Sequence, residues 1–478
     1  LFLPTSRFGH TGHLSVKPRN SHSAVSPARA AAFDILLRVE RESSYASELL
    51  HSRNYETLST ADHALATELV MGVLRWRSLL DSQIAENSAQ PLAKLDLEIL
   101  IALRVGLYQL NWLSRVPARA AIHQSVELVK RARKRSAAPF VNAVLRKLTT
   151  TALNRISLPV ETSSVSVESL ATKTAHPLWL VERWAQQYGI DAARRICSYN
   201  QSVPVMAIRL RQKDAESELR KEGIELAAGA LLASARRVQQ GDVTQTNAFR
   251  AGRCAIQDEG SQLVAALVGR GARILDCCAA PGGKILAIAD CNPDAHVVAV
   301  ELHSHRARLL QRLVNGEKPS FAARAQPVQI VAADARNLPF AGEFDRVLAD
   351  VPCSGTGTLA RNPEIKWRLK FDDLADLHSR QLSILRSSME QVARGGRLIY
   401  STCSLEKEEN EDVVERALAE DSSFRVIDCR SELDRLKAAG ELTWPDLSSL
   451  RCGRYLRTLP GVHPCDGFFA AILEKASD

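Results

Sequence analysis

At 478 residues the chain is too long for one hydrophobic core, so two or three domains are expected. Its composition, 45% hydrophobic and 24% charged, is that of an ordinary globular protein, and no stretch approaches the roughly 20 apolar residues of a membrane span. Ten cysteines without one C-x-x-C pair argue against a zinc ribbon, the size of the chain argues against a disulfide framework, and a net charge of +8 is compatible with a polyanionic partner.

Residues 1–24 lack the apolar core of a secretory signal and read as a disordered basic tail, with the cytoplasm as the default location. From 25 to 150 the periodicity is helical. The run 28-ARAAAFDILLRVE-40 sets Ala32, Leu36, Leu37 and Val39 near one face, and 61-ADHALATELVMGVLRWRSLL-80 does the same with Leu65, Leu69, Val73 and Leu80. Strand signals are absent, so a compact all-α domain is expected. Its basic run 130-KRARKR-135 is either an RNA contact or a solvated helix face. Residues 151–175, rich in Ser, Thr and Val, read as a linker. Residues 176–255 mix a helix at 177–189, a strand at 205–211 and a helix at 214–223, which is the pattern of a small α+β connecting module.

From 256 to 478 strands and helices alternate. The expected strands are 272–278, 296–301, 328–334, 345–350 and 396–402, and the expected helices 303–314, 372–393 and 406–419. Near-continuous apolar strands between helices imply a parallel sheet covered on both faces, completed by 467-GFFAAILE-474. Ser404 is the expected cap of the 406–419 helix.

Four strand ends carry the chemistry. In 276-DCCAAPGGK-284, Gly282 and Gly283 admit a ligand close to the backbone and Pro281 fixes the turn. The loop matches neither G-x-G-x-x-G nor a phosphate-binding P-loop, which disfavours a dinucleotide or nucleoside triphosphate; the plain alternative is a tight strand-to-helix turn. Glu301, ending the next strand, can bind the two hydroxyls of a ribose, and Asp334, ending the third, can meet an adenine edge. Either acid alone is equally well explained as a local cap. In 350-DVPC-353 the carboxylate of Asp350 can accept from an exocyclic amine, and a cysteine at the fourth position favours thiol chemistry on a ring carbon over methylation of an amino group.

Carbon 5 of cytosine is too electron-poor to attack a methyl sulfonium until a thiolate has added at carbon 6. Either Cys353 or Cys403, the latter in 398-LIYSTCS-404, is placed for that addition, with Lys284 and a helix N-terminus beside Cys403 as expected sources of a lowered thiol pKa. Spacing alone leaves the choice between the two thiols open.

Together DCCAAPGGK, DVPCSGTGTLARNPEIKWR, YSTCSLEKEENE and DGFFAAILEK resemble the RNA cytosine-5 methyltransferases of the Nop/Sun class, and most closely the bacterial ribosomal RNA small-subunit methyltransferase B (RsmB/Sun) family. The N-terminal segments resemble the NusB-like RNA-binding domain joined to that family, and HPLWLVERW and QDEGSQL its connecting module. The resemblance implies a multidomain fold, with an all-α NusB-like domain, a small α+β module and an α/β Rossmann-like class I methyltransferase domain. It implies S-adenosylmethionine as cofactor, held by Cys278, Ala279, Ala280, Pro281, Gly282, Gly283, Lys284, Glu301, Asp334 and Asp350. Glu301 stands where the family commonly has Asp, one methylene shorter. The resemblance also implies Cys403 as the nucleophile, Cys353 as the group that assists release, and Asp350 and Lys284 as their neighbours. The expected substrate is 16S ribosomal RNA, naked or partly assembled, acted on by a monomer without metal or membrane. The alternatives are a transfer RNA cytosine-5 methyltransferase and a non-catalytic RNA-binding or ribosome assembly protein.

Overall fold

The computed structural model describes residues 25–42, 44–151, 166–316, 327–340 and 343–477, and the chain divides into two compact units. The expected tail 1–24 and most of the expected linker lie outside the described residues.

The first unit takes in the described residues up to 44, then 49–70 and 83–151, and is all helical. Helix Leu97–Trp112 buries residues on nearly every side, which makes it the centre of the unit. Gly106 lets its neighbours come close: a Cβ there would sit 2.6 Å from the Ser125 hydroxyl and 2.7 Å from Leu145. In the basic run, Lys130 pairs with Glu127, Arg131 with Asp34 and Lys134 with Asp96.

The second unit holds residues 45–48, 71–82 and everything described from 166 onward. The expected linker requires a correction. Val167–Lys173 is a helix, capped by the Ser166 hydroxyl, and it buries Leu170 and Ala171. A seven-residue helix is too short to display a period, and its serine cap reads as linker composition. It packs with Leu178–Tyr188 and Ile190–Gln201 around the fully buried Trp184, and the same cluster takes in Leu359, Ile365 and Leu405. A small antiparallel sheet follows, with strands β1 (Ala207–Leu210), β2 (Glu225–Ala228), β3 (Ala235–Gln240) and β4 (Cys254–Ile256) in the order β2-β3-β1-β4.

The large sheet is built from β5 (Arg273–Asp276), β6 (His296–Glu301), β7 (Gln329–Ala332), β8 (Phe344–Asp350), β9 (Val392–Thr402), β10 (Phe424–Ile427), β11 (Arg451–Cys452), β12 (Tyr455–Thr458) and β13 (Phe468–Lys475). Its order is β11-β12-β13-β9-β8-β5-β6-β7, with β10 also on β13. Successive side chains alternate between two cores. Ile274, Val297, Leu348, Ile399 and Ile472 face one, while Leu275, Val298, Val347, Leu398 and Leu473 face the other. Strands β5 to β9 are parallel as expected, but the sheet as a whole is mixed, because β13 runs antiparallel to β9 and β10 and β12 antiparallel to β13. Burial on both faces gives β13 the apolar run of a parallel strand, so its sequence does not betray its direction. The order reverses between β5 and β8: from β5 the chain goes to β6 on one side and later to β8 on the other. That is where doubly wound sheets open a crevice at the strands' carboxyl ends.

Candidate active site

Strands β8 and β9 are parallel neighbours, with Asp350 in register with Ser401. The chain therefore leaves both strands at the same end of the sheet, and the two thiols that follow meet: Cys353 Sγ lies 3.3 Å from Cys403 Sγ. Both are free and half-buried. The Cys353 thiol is pushed well above its ordinary pKa by its hydrogen bond to Cys403, by burial and by the nearby Glu409 carboxylate.

The two thiol loops are tied together by a residue to which the sequence reading gave no role. Glu409 is fully buried. Its carboxylate accepts from the Ser354 backbone N–H at 2.7 Å, from the Gln381 amide at 2.8 Å, and from the hydroxyls of Ser354 and Ser404. It thereby joins the residue after Cys353 to the residue after Cys403. Gly357 completes the junction. Its N–H donates to the Cys403 carbonyl, its own carbonyl accepts from Gly467, and a Cβ there would lie 2.3 Å from the Gly467 oxygen.

Two expectations about this loop need correction. Ser404 does not cap the following helix. That helix is Glu411–Glu420, preceded by a 3-10 turn at Lys407–Glu409, and the Ser404 hydroxyl serves Glu409 and the Glu406 N–H. The helix N-terminus expected beside Cys403 therefore starts only at Glu411. Trp367 and Lys366 pack under the loop: Trp367 Nε1 donates to the Leu74 carbonyl, and the buried Lys366 Nζ to that of Arg75.

On the β5 side of the thiols lies a cavity of about 290 Å³. Residues 278–284 and Asp350 all line it. Gly282 is left-handed (φ 117°), and a Cβ there would lie 2.6 Å from Leu313, so glycine is required on both counts. Lys284 Nζ holds Asp350 at 2.8 Å, and Ser401 Oγ donates to the other Asp350 oxygen at 2.7 Å. Burial disfavours the Lys284 ammonium, but Asp350 outweighs it and the pKa is raised. Cys277 points into the core beside Ser388.

The wall is acidic, with Asp258, Asp276, Asp350 and Asp466 against Lys284 and Arg361. This donor set suits a cationic ligand and opposes a phosphate-bearing one. Gln257 Oε1, buried in the same wall, has no hydrogen-bond partner among the described residues, which leaves an acceptor for a ligand donor.

Glu301 and Asp334 end β6 and lie just past β7 but do not line this cavity. Each carboxylate accepts the backbone N–H two residues on, from His303 and Arg336 respectively, and Asp334 is also paired with the Arg336 guanidinium. Asp276 makes the same turn with Cys278 and was overlooked, although it is a strand-end acid like the three selected.

Burial first, and then the Asp350 charge, push Asp276 up to about 7. A carboxyl raised above its unfolded value favours the fold below the ordinary carboxylate range and loses that contribution as pH rises through about 7. Asp276→Asn removes the ionisation and keeps an acceptor for Cys278. The variant's melting temperature relative to wild type is therefore expected to rise between pH 5 and pH 8, followed by thermal denaturation. A pH-independent difference would refute this.

Family comparison places the chain. The family model for the 16S rRNA methyltransferase RsmB/F matches residues 267–474, that for the NusB family residues 26–150, and that for a ferredoxin-like domain of RsmF/B-like methyltransferases residues 176–244. The chain is 35% identical to the probable ribosomal RNA small subunit methyltransferase B of Bacillus subtilis (strain 168), over 94% of this chain and 98% of that protein. It is 32% identical to ribosomal RNA small subunit methyltransferase B of Pseudomonas syringae pv. tomato, over 94% and 97%. Among solved structures, the crystal structure of PH0851 superposes with a TM-score of 0.75 at 23% identity, covering 95% of this chain and 99% of that one. A methyltransferase homologue from Pyrococcus horikoshii superposes with a TM-score of 0.53 at 22% identity, covering 65% and 99%. These two likenesses concern the fold.

Proposed function

The chain belongs to the RsmB/F family of 16S rRNA methyltransferases, and from that premise we propose that it methylates carbon 5 of a cytosine in 16S ribosomal RNA through a covalent cysteine adduct. The enzyme is an S-adenosylmethionine-dependent methyltransferase whose substrate is RNA. The observation that carries the proposal is the pair of thiols 3.3 Å apart at the ends of adjacent parallel strands, beside a cavity with an acidic wall.

Bound in that cavity, S-adenosylmethionine supplies the electrophilic methyl group. Residues Cys278, Ala279, Ala280, Pro281, Gly282 and Gly283 form the backbone wall against it, with Lys284 and Asp350 at the side nearest the thiols. Glu301 and Asp334, the latter engaged by Arg336, lie outside that cavity's wall and would serve the ribose hydroxyls and the adenine edge only of a cofactor reaching past it. Asp350 also reads the cytosine amino group, held in place by Lys284 and Ser401.

Cys403, as thiolate, adds to carbon 6, and the displaced electron pair makes carbon 5 nucleophilic. Once carbon 5 carries the methyl group, a base takes its proton. The carbon–hydrogen electrons re-form the 5,6 double bond, and the carbon–sulfur pair leaves with Cys403. Cys353, whose thiol is pushed well above its ordinary pKa and already contacts the Cys403 sulfur, donates to the departing thiolate.

A base handled this way must be unpaired or flipped out of its helix. Naked or partly assembled small-subunit RNA is therefore the expected substrate. Incubation with a 16S transcript, followed by nucleoside mass spectrometry, is expected to show 5-methylcytidine, with much less turnover on intact small subunits. Methylation of transfer RNA alone, or on an amino group, would overturn the proposal. Equal turnover on intact subunits would overturn the accessibility argument.

A further inference from the structure

A second cleft, also of about 290 Å³, opens beside the Cys353 loop. Its wall includes Ser354, the residue after Cys353, together with Ile365, Leu369, Arg368, Arg380 and Tyr45. Tyr45 belongs to a short segment, 45–48, that packs with the second unit although its sequence lies among the N-terminal helices.

The backbone around Tyr45 is firmly held. The Ala46 N–H donates to the buried Glu364 carboxylate at 2.8 Å, and the Ser47 hydroxyl donates to Asn362 at 3.3 Å. Both acceptors lie in the loop that follows Cys353. The Tyr45 side chain by contrast is 43% exposed, and its hydroxyl makes no hydrogen bond among the described residues. Burial, and then the charges of Cys403, Glu364 and Cys353, push that hydroxyl above its usual pKa. An aromatic ring presented on an anchored backbone, facing a cleft next to the reacting sulfurs, is what stacking on an unpaired base requires.

We infer that Tyr45 is the stacking face of the target-base pocket, so that the cleft beyond Ser354 takes the flipped pyrimidine nucleotide. This rests on the cytosine reading above and adds to it the residue that receives the base. The rest of the wall fits the same occupant. Ile365 and Leu369 offer apolar surface to a base, and Arg368 and Arg380 suit its phosphates. Asp373 and Asp376 also line the cleft, which disfavours a bare anion.

The test is steady-state methyl transfer to a 16S transcript by wild type, Tyr45→Ala and Tyr45→Phe, with S-adenosylmethionine affinity measured by calorimetry on each. Tyr45→Ala is expected to lose about tenfold or more in kcat/KM for RNA, chiefly through KM, with cofactor affinity unchanged. Tyr45→Phe, which keeps the ring, is expected to restore most of that loss. A methylating enzyme in which Tyr45→Ala matches wild type overturns the inference alone. So does a Tyr45→Phe as impaired as Tyr45→Ala, or a Tyr45→Ala that loses cofactor affinity in step with activity. A wild type that forms no 5-methylcytosine overturns the cytosine reading and the inference with it.

Discussion

Cys353→Ala is expected to trap the enzyme on its RNA, whereas Cys403→Ala is expected to form no adduct at all. The proposal makes Cys403 the sulfur that bonds carbon 6, so its loss removes the addition step and methyl transfer falls to background. Loss of Cys353 leaves addition possible but takes away the hydrogen-bond donor 3.3 Å from the departing sulfur. The adduct then persists and turnover stalls. The local arrangement favours this division of labour. The Cys353 thiol is pushed well above its ordinary pKa, and Ser354 beside it is anchored on Glu409. The check is a denaturing gel of each variant after incubation with S-adenosylmethionine and labelled 16S transcript. A slow-migrating protein–RNA band confined to Cys353→Ala is the expected pattern; the same band confined to Cys403→Ala would exchange the roles.

Glu409→Ala is expected to damage stability and catalysis together. Its carboxylate serves four donors in a fully buried position, and two of those donors belong to Ser354 while one belongs to Ser404. Removing it leaves the Ser354 N–H, the Gln381 amide and two hydroxyls without their acceptor. Stranding a buried neutral donor in this way costs about 1–3 kcal/mol for each group that finds no other acceptor. The thiol loops lose their common anchor at the same time, and a misplacement on the order of 1 Å in such a site lowers kcat by about 100-fold. Glu409→Gln keeps the volume and one acceptor oxygen, and serine hydroxyls can turn to suit an amide. It is therefore expected to fall between alanine and wild type in both properties. Denaturation midpoints and methyl-transfer rates measured on the same preparations decide the matter. An alanine variant with wild-type values in both would refute the anchoring role.

The chain's own neighbours explain why Glu409 escaped a sequence reading. In 405-LEKEENE-411 five charged residues stand together, and such a run reads as the acidic first turn of a helix. The helix begins only at Glu411, and within the run Glu406 and Glu409 are buried while Glu408 pairs with Arg183 at the surface. Glu406 takes the Trp184 and Arg183 side chains. The partners that turn these acids inward come from residues more than two hundred positions away in one case and about thirty in the other. Arg361 was similarly opaque: nothing in 361-RNPEIKWR-368 marks it, yet it bridges Asp258 and Asp466 in the wall of the cofactor cavity.

What sequence alone determined is what depends on local pattern. Apolar runs of strand length set β5, β6, β8 and β9, the glycine pair marked the loop at 282–283, and short motifs carried Asp350, Cys353 and Cys403 to strand ends. Those signals are local because they arise from backbone geometry and burial at one element. Only the tertiary structure decided which ends are neighbours. The parallel register of Asp350 with Ser401 brings two thiols fifty residues apart into contact, and the antiparallel run of β13 makes the sheet mixed. It also set the Ala46 N–H on the Glu364 carboxylate, 318 positions away, beside the cleft that Tyr45 lines. Contacts of that separation leave no period in the chain, because they are selected by the packing of whole elements and by the need of each buried charge to find a partner.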